Sequence, residues 1–402
     1  ISLSATYTLT NPDRSTIIAE REDLVAYDET TGYWTLFFEG DQIPYNPFQA
    51  EDLTAAWIDD VGNIYVSGDP IGGSALTLIG TRNSTARGNH VYNNFGEGLV
   101  VDRGSIGAVA EDNVLYDNQH ANLYLNSTIS TTVRSNFVYC TDDQTFWRKG
   151  SGLTYKPGPG IQIRDELWLN DLQPLSSGYV IVNNIVYGCG TNFGVSSQRP
   201  GGGLNNSLVA NNTFAHARAA SSGGVDNVNF AFNSGVSVNG SFFINNLLLQ
   251  SPSLADRNIR FQGVGDLSNF TIANNLYSPN SDSLPSQWPQ DEPGRIVTAD
   301  PRLMNAALAG QNPPLPVMGT PPDSADFRLT YDSPALDAGQ ALAEVVDDFF
   351  AMLRTGNGAP DIGANELPHV GRITVTQTAV PGDVVQQFDF LANFSSGTFS
   401  LQ

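Results

Sequence analysis

An asparagine recurs through the middle of this chain with the same apolar company each time. At Asn89, Asn113, Asn136, Asn184, Asn212, Asn246 and Asn275, the residue three before is Ala86, Ala110, Val133, Ile181, Val209, Phe243 or Ile272. The residue two after is Val91, Leu115, Val138, Val186, Phe214, Leu248 or Tyr277. Positions five apart on one straight strand point to opposite faces, yet here both are apolar. A chain that buries both must turn between them. Asn suits the turn because it tolerates the left-handed conformation and bonds nearby backbone. Stacked copies can also join through amide ladders. In "VIVNNIVYGCGTNFG" (180–194) the two amides therefore mark a corner between short strands.

A second column follows each anchor: "GLVVDRG" (98–104), "NLYLNST" (122–128), "GIQIRDE" (160–166), "NFGVSSQ" (192–198), "NVNFAFN" (227–233) and "NIRFQGV" (258–264). It alternates with the period of a strand. Leu99/Val101, Leu123/Leu125, Ile161/Ile163, Phe193/Val195, Phe230/Phe232 and Ile259/Phe261 are expected to face inward. The outward set is Val100, Asp102, Tyr124, Asn126, Gln162, Arg164, Gly194, Ser196, Asn229, Asn233, Arg260 and Gln262. Anchor spacings run 24, 23, 48, 28, 34 and 29 residues. Short spacings fit one coil of a parallel β-helix, and longer ones fit coils with inserted loops. The spacing of 48 admits a hidden extra coil. Because it contains only one second-column strand, "GIQIRDE", it is read as one coil with insertions at 141–158 and 166–178. A β-sandwich with repeated Asn turns is the alternative, but it has no need of seven aligned corners.

Outside the repeat, residues 1–70 carry hairpin signals with turns at "DETTG" and "DDVGN", read as a small β module or N-terminal cap. The β-helix is expected over 71–280 and an irregular closing segment over 281–366. The tail 367–402 holds too few strands for a complete module. The chain begins with Ile1, which reads as a processed or trimmed form. The formal net charge is −22, from 41 acidic and 19 basic residues. That balance argues against nucleic-acid binding and against docking on anionic lipid. No apolar run is long enough to span a membrane. Cys140 and Cys189 fall at nearly equal offsets in coils expected to be adjacent, so a disulfide and a pair of buried thiols are both open. An intervening coil would carry them beyond bonding reach.

The stretches "DFRLTYDSPALDAGQ" and "RTGNGAPDIGANE", between Asp326 and Glu366, resemble the ending of a bacterial family of secreted right-handed parallel β-helix proteins. "NNFGEGLVV", "GIQIRDE" and "NNIVYGCGTNFG" are similar to the same family, so the resemblance spans roughly 71–366. It implies an all-β, right-handed parallel β-helix exported to the bacterial exterior or cell surface. Because the family includes lyases, hydrolases and adhesins, it implies little about activity. Asp337, Arg354 and Asp361 are expected to form a polar clasp closing the last coil. The tail from Gly371 is similar to the start of prealbumin-like β-sandwich modules; with too few strands for one, either the chain is cut from a longer protein or the missing strands come from elsewhere, by self-assembly or from other surface-protein domains pairing with an open edge in 367–402.

The outward strip of amide, hydroxyl and aromatic groups suits sugar hydroxyls, so the expected partner is polysaccharide. Ligand contacts are expected from Asp102, Tyr124, Asn126, Gln162, Arg164, Asn192 and Ser196. Glu97, Asp165 and Glu166 are candidates for acid–base work on a glycosidic bond or for oxygen ligation of Ca²⁺. The insertion "TDDQTFWRKGSGLTYKPGPG" (141–160) concentrates base in an acidic chain. Lys149 and Lys156, the chain's only lysines, are candidate bases for a uronate lyase, with Arg148 and Arg164 neutralising the sugar carboxylate and Trp147 or Tyr155 as a stacking platform. No His pair has metal-ligand spacing. The first reading is a surface scaffold that contacts polysaccharide in an adhesive or structural role. The alternatives are a polysaccharide lyase or glycoside hydrolase acting in a groove, and a subunit of an extracellular assembly.

Overall fold

The computed structural model describes residues 74–148, 155–167, 173–218, 228–233, 235–250, 258–262, 267–279, 284–310, 312–354 and 358–368. It also gives the backbone of strands at 7–10, 16–19, 25–28, 33–36, 53–58, 64–68, 148–149, 370–376 and 387–393. Three parallel sheets run the length of the repeat. The front sheet stacks Leu76–Ile79, Glu97–Asp102, Ala121–Asn126, Ile161–Asp165, Thr191–Ser197, Val228–Phe232 and Ile259–Phe261 in chain order. The second sheet holds the strands that precede each anchor, from Thr85–Arg87 to Phe270–Ala273. The third holds those that follow it, from His90–Asn94 to Ile296–Val297, extended at its first edge by Ile64–Gly68 and Leu53–Ile58. Each strand pairs with its equivalent one coil away, which is a parallel β-helix, and the crossovers take the right-handed sense that twisted strands favour.

All fourteen residues flanking the anchors lie in one buried core, with the inward residues of the front sheet. Between them the anchors form a continuous ladder. Asn89 donates its amide to Asn113 at 2.8 Å, and the chain continues through Asn136, Asn184, Asn212, Asn246 and Asn275 at 2.8 to 3.1 Å. Each anchor's Nδ2 also reaches backbone carbonyls, as Asn184 does to Val133 and Val182. The left-handed residue, however, is not the anchor. It is the residue before: Gly88, Asp112, Ser135, Asn183, Asn211, Asn245 and Asn274 all have φ between 53° and 68°.

The two amides of "NN" thus do different work. In the last four coils the first Asn turns the corner and then holds the segment that closes the molecule. Asn183, Asn211, Asn245 and Asn274 donate to the carbonyls of Asp347, Asp361, Gln340 and Ala338 at 2.7 to 3.0 Å. That segment lays Leu303, Leu308, Phe327, Leu329, Ala335, Ile362 and Ala364 over the outer face of the third sheet, against Phe137, Ile185, Leu247 and Leu276. The polar clasp exists, but its place and partners differ from those expected. Arg354 bonds Glu366 at 3.0 Å, Asn183 at 3.0 Å and the carbonyl of Asp361 at 3.2 Å, so it grips a middle coil. Asp361 joins Asp337 by accepting its backbone N–H at 2.8 Å. The last coil is closed instead by Trp288, packed edge-on against Phe243, Phe270 and Tyr277, and by Glu292, which accepts the final amide of the ladder at 2.8 Å.

Thr132–Arg134 pairs directly with Val180–Val182, so no coil hides in the long interval and both insertions belong to one turn of the helix. Cys140 and Cys189 are joined by a disulfide, with Cα atoms 4.8 Å apart. Near the start, Val25–Asp28 pairs with Tyr33–Leu36 across "DETTG", and Leu53–Ile58 with Ile64–Gly68 across "DDVGN". Val370–Thr376 pairs antiparallel with Gln387–Asn393. Apart from these strands and those at 7–10 and 16–19, residues 1–73 and 369–402, with most of the expected assembly surface, lie outside the described residues.

Candidate functional site: a charged groove on the front sheet

The front sheet presents two outward rows. Val100, Tyr124, Gln162, Gly194, Ala231 and Arg260 are in register in one row, and Asp102, Asn126, Arg164 and Ser196 in the other. The insertion between the second and third coils rises beside them. Its root is fixed at the disulfide: Asn122 donates to both sulfurs at 3.1 and 3.5 Å, and Gly158 returns the chain within 3.7 Å of Cys140 Sγ. Its outward course is fixed by Trp147, which is buried, donates its indole N–H to Thr141 at 3.1 Å and lies under Arg218. From there Arg148–Lys149 and Tyr155–Lys156 form a two-stranded antiparallel ribbon in which Arg148 stands directly opposite Lys156.

Sheet and ribbon enclose a groove of about 680 Å³ lined by Glu97, Gln119, His120, Tyr124, Arg148, Lys156, Gln162, Arg164, Glu166, Ser196 and Asn233. Nine residues singled out from the sequence therefore converge here: Glu97, Tyr124, Arg148, Lys156, Gln162, Arg164, Glu166, Ser196 and Asn233. Glu97 Oε1 lies 3.4 Å from His120 Nδ1, and its Oε2 accepts the Ser74 hydroxyl at 3.0 Å. Burial alone would raise the Glu97 pKa, but the hydrogen bond and charge of His120 outweigh it and hold the carboxyl below its ordinary range. Glu166 Oε1 is 3.4 Å from Arg164 Nε, and its Oε2 is 3.4 Å from the Asn126 amide. Gln162 donates to Ser196 at 3.2 Å, across the space left by Gly194. A Cβ at Gly194 would come within 2.5 Å of Gln162 Oε1, so a side chain there would displace the Gln162 amide from Ser196. Desolvation first, and then the charges of Arg148 and Arg260, push the Lys156 ammonium down to about 8.

The other candidates stand elsewhere. Asp165 points into the wall, fully buried, and accepts the N–H groups of Ser176 and Gly203 at 2.8 and 2.7 Å; it fixes two loops. That separates it from Glu97 and Glu166, so the three do not form the expected Ca²⁺ or acid–base set. Among the described residues no group of three or more His, Cys, Asp or Glu gathers for a metal. Asn192 is also fully buried, in a second ladder that donates to Asn229 at 2.7 Å and continues to Asn258. Its coil is one residue shorter between anchor and strand: Glu97 pairs with Ala121, but the matching position is Thr191. A slip of one residue reverses the face, which moves Asn192 off the strip; Asn229, expected outward by alternation beside Phe230, is instead buried in the same ladder. Asn126 is buried beneath Glu166, whose N–H it accepts at 3.2 Å. Asp102 is buried beside Arg103, 3.5 Å away. Burial above all, with Glu166 and Glu97, pushes its carboxyl up to about 7 against the pull of Arg103. The side chain of Lys149 lies outside the described residues. Gln119 and His120 were not expected here. Their signal was positional, since they precede the strand that pairs with Glu97.

No protein-family model matches the sequence, and no curated protein matches it. Among solved structures the chain is similar to the pectate lyase Pel9A, at 18% identity over 81% of this chain and 85% of that one, with a TM-score of 0.32.

Proposed function

We propose that the groove binds an acidic, uronate-bearing polysaccharide outside the cell, with the β-helix as its rigid support. One observation carries this reading. Arg148 and Lys156 face each other across a two-stranded ribbon, beside Arg164, in a chain of net charge −22. Like charges directly opposite across a ribbon are destabilising, and an anion between them removes that cost. The flanking Gln162, Ser196, Asn233 and Tyr124 supply the hydrogen bonds and flat surface that sugar rings use. The test is titration with polygalacturonate, alginate and neutral dextran. The uronates should bind and dextran should not, and Arg148→Gln with Lys156→Gln should weaken uronate binding at least tenfold. Equal binding of dextran would refute the reading.

A second reading, β-elimination, is favoured by the lowered Lys156 pKa. An amine that is partly neutral near pH 8 can remove the proton adjacent to a uronate carboxylate while guanidinium groups stabilise the charge that develops. That Arg148 and Arg164 line the same groove as Lys156 supports the reading. Appearance of unsaturated products by ultraviolet absorbance, lost in Lys156→Gln, separates a lyase from a binding scaffold.

A further inference from the structure

The closing segment carries an apolar tip that its own packing leaves bare. Val346, Met352 and Leu353 are 51%, 40% and 68% exposed. The tip is firmly held. Asp347 bridges Leu353 antiparallel, and Arg354 donates its N–H to the carbonyl of Val346 at 2.9 Å. Beneath it the buried Asp348 accepts the N–H groups of Phe350 and Met352 on one oxygen, at 2.8 and 2.7 Å. Phe349 and Phe350 pack, partly buried, against the cluster over the third sheet, and the Arg328 guanidinium lies 4.0 Å from the Phe350 ring. Single exposed apolar residues need no cover, but several held together mark a contact surface.

The same carboxylate shows what lies nearest. The second oxygen of Asp348 accepts the Asn365 amide at 3.0 Å and the Glu366 N–H at 2.7 Å. It thus fixes the tip against the residues from which the C-terminal tail departs. Leu367 packs on the same cluster as Phe349 and Phe350. Only Pro368 and His369 separate it from the strand Val370–Thr376. Three peptide steps span at most about 11 Å, so that strand starts within reach of the tip. It pairs with Gln387–Asn393, with Ile373 opposite Phe390 and Val375 opposite Phe388. By register and the period of a strand, these four share one face of the ribbon, and Arg372, Thr374, Asp389 and Leu391 share the other. A two-stranded ribbon is marginal in water alone, and this one has an apolar face to bury. A tether this short gives the tail of the same chain a far higher local concentration than that of a second copy. We propose that the tip at 346–353 is the docking surface for the C-terminal hairpin of the same chain, with Ile373, Val375, Phe388 and Phe390 laid over Val346, Met352 and Leu353.

Disulfide trapping in the full chain tests this. Leu353→Cys with Phe390→Cys should close a second disulfide within one molecule under mild oxidation, read by mass spectrometry and non-reducing gels. Leu353→Cys with Asp389→Cys, on the other face of the ribbon, should link at least tenfold less. A linked dimer would make a second copy the occupant and overturn the proposal. Equal linking at 389 and 390, or none at either, would overturn it too. Hydrogen exchange gives a reading without new thiols. Leu353→Asp alters a residue that stands clear of the packed core, so amides of the three parallel sheets should keep their protection. Those of 370–393 should exchange at least tenfold faster, within what burial of one leucine is worth. Unchanged exchange in the hairpin overturns the docking.

Discussion

Asn184 stands in the middle of the amide ladder and bonds the coils on both sides of its own. Its side chain accepts from the N–H and amide of Asn136 and donates to Asn212, Val133 and Val182, and all of it is buried. Alanine there strands polar groups on two neighbouring coils. We expect a loss of about 2–4 kcal/mol in urea denaturation. Asn183→Gly keeps the left-handed corner but drops the bonds to Asp347 and Arg354. It should lower the denaturation midpoint less than Asn184→Ala, since Arg354 keeps Glu366 and Gly363, while speeding proteolysis within 338–366; equal midpoint losses in the two variants would contradict this division of labour. The ladder was legible because apolar flanks at −3 and +2 admit only a corner between them. Which amide bends the chain was not legible, since either Asn of a pair tolerates positive φ. At Lys156 the prediction concerns pH. Burial and nearby guanidinium groups lower the folded pKa to about 8, below the ordinary 10.5. The unfolded chain therefore holds more protons between those values, and this group's contribution to stability grows as pH rises across that window. Anion binding has the opposite dependence, because it needs the ammonium. Affinity for polygalacturonate should fall as pH rises through 8 to 9, and Lys156→Arg should flatten the profile. A fall of equal steepness in that variant would assign the titration elsewhere.

The strand and the insertion are where reading by pattern reached its limit. Period-two alternation placed six of the seven front-sheet strands and their inward residues, because one buried face imposes the alternation; it missed the first, Leu76–Ile79, which precedes the first anchor. Counting from the anchor misplaced Asn192, because it presumes corners of constant length and one corner is a residue shorter; alternation misplaced Asn229, because at the start of its strand the side chain is held in the buried amide ladder between Asn192 and Asn258. The 48-residue interval was read correctly as one coil, since only Ile161–Asp165 offered a strand for the front sheet. How the insertion folds back was not legible, because it depends on contacts distant in sequence: Trp147 under Arg218, and Gly158 over Cys140. The disulfide spans 49 residues and sits at the root of that insertion. Loop-closure entropy for such a length is worth about 4 kcal/mol. Cys140→Ser with Cys189→Ser should therefore lower stability by up to that amount in urea. It should weaken uronate binding further than Arg148→Gln alone, since both cations of the ribbon lose their mooring. Circular dichroism should keep its β signature, as the ladder and the three sheets do not pass through the sulfurs. Unchanged affinity in the double variant would show that Trp147 and Gln119 suffice to place the ribbon.

At the scale of the molecule, a groove with three cations must admit a polyanion to a body of net charge −22. The two fields act over different distances. The cations lie within contact range of a bound carboxylate, so salt weakens them only partly. The net charge acts from afar, and its reach is the Debye length, about 30 Å at 0.01 M and about 10 Å at 0.1 M salt. An approaching chain at low salt feels repulsion from the whole surface before it feels the groove. Raising salt from about 0.01 to about 0.1 M should therefore speed association, the reverse of ordinary electrostatic steering between opposite charges. Over the same range dissociation should also speed up, because the direct contacts weaken. Stopped-flow mixing with a fluorescently labelled uronate hexasaccharide separates the two rates. Arg148→Gln should raise the dissociation rate at every salt concentration and leave the slope of the association rate almost as it was, since one charge changes −22 very little. An association rate that falls steeply with salt would mean that the local field dominates even at long range. The acidic surface would then have no part in governing entry, and the groove alone would set how fast a polyanion is captured.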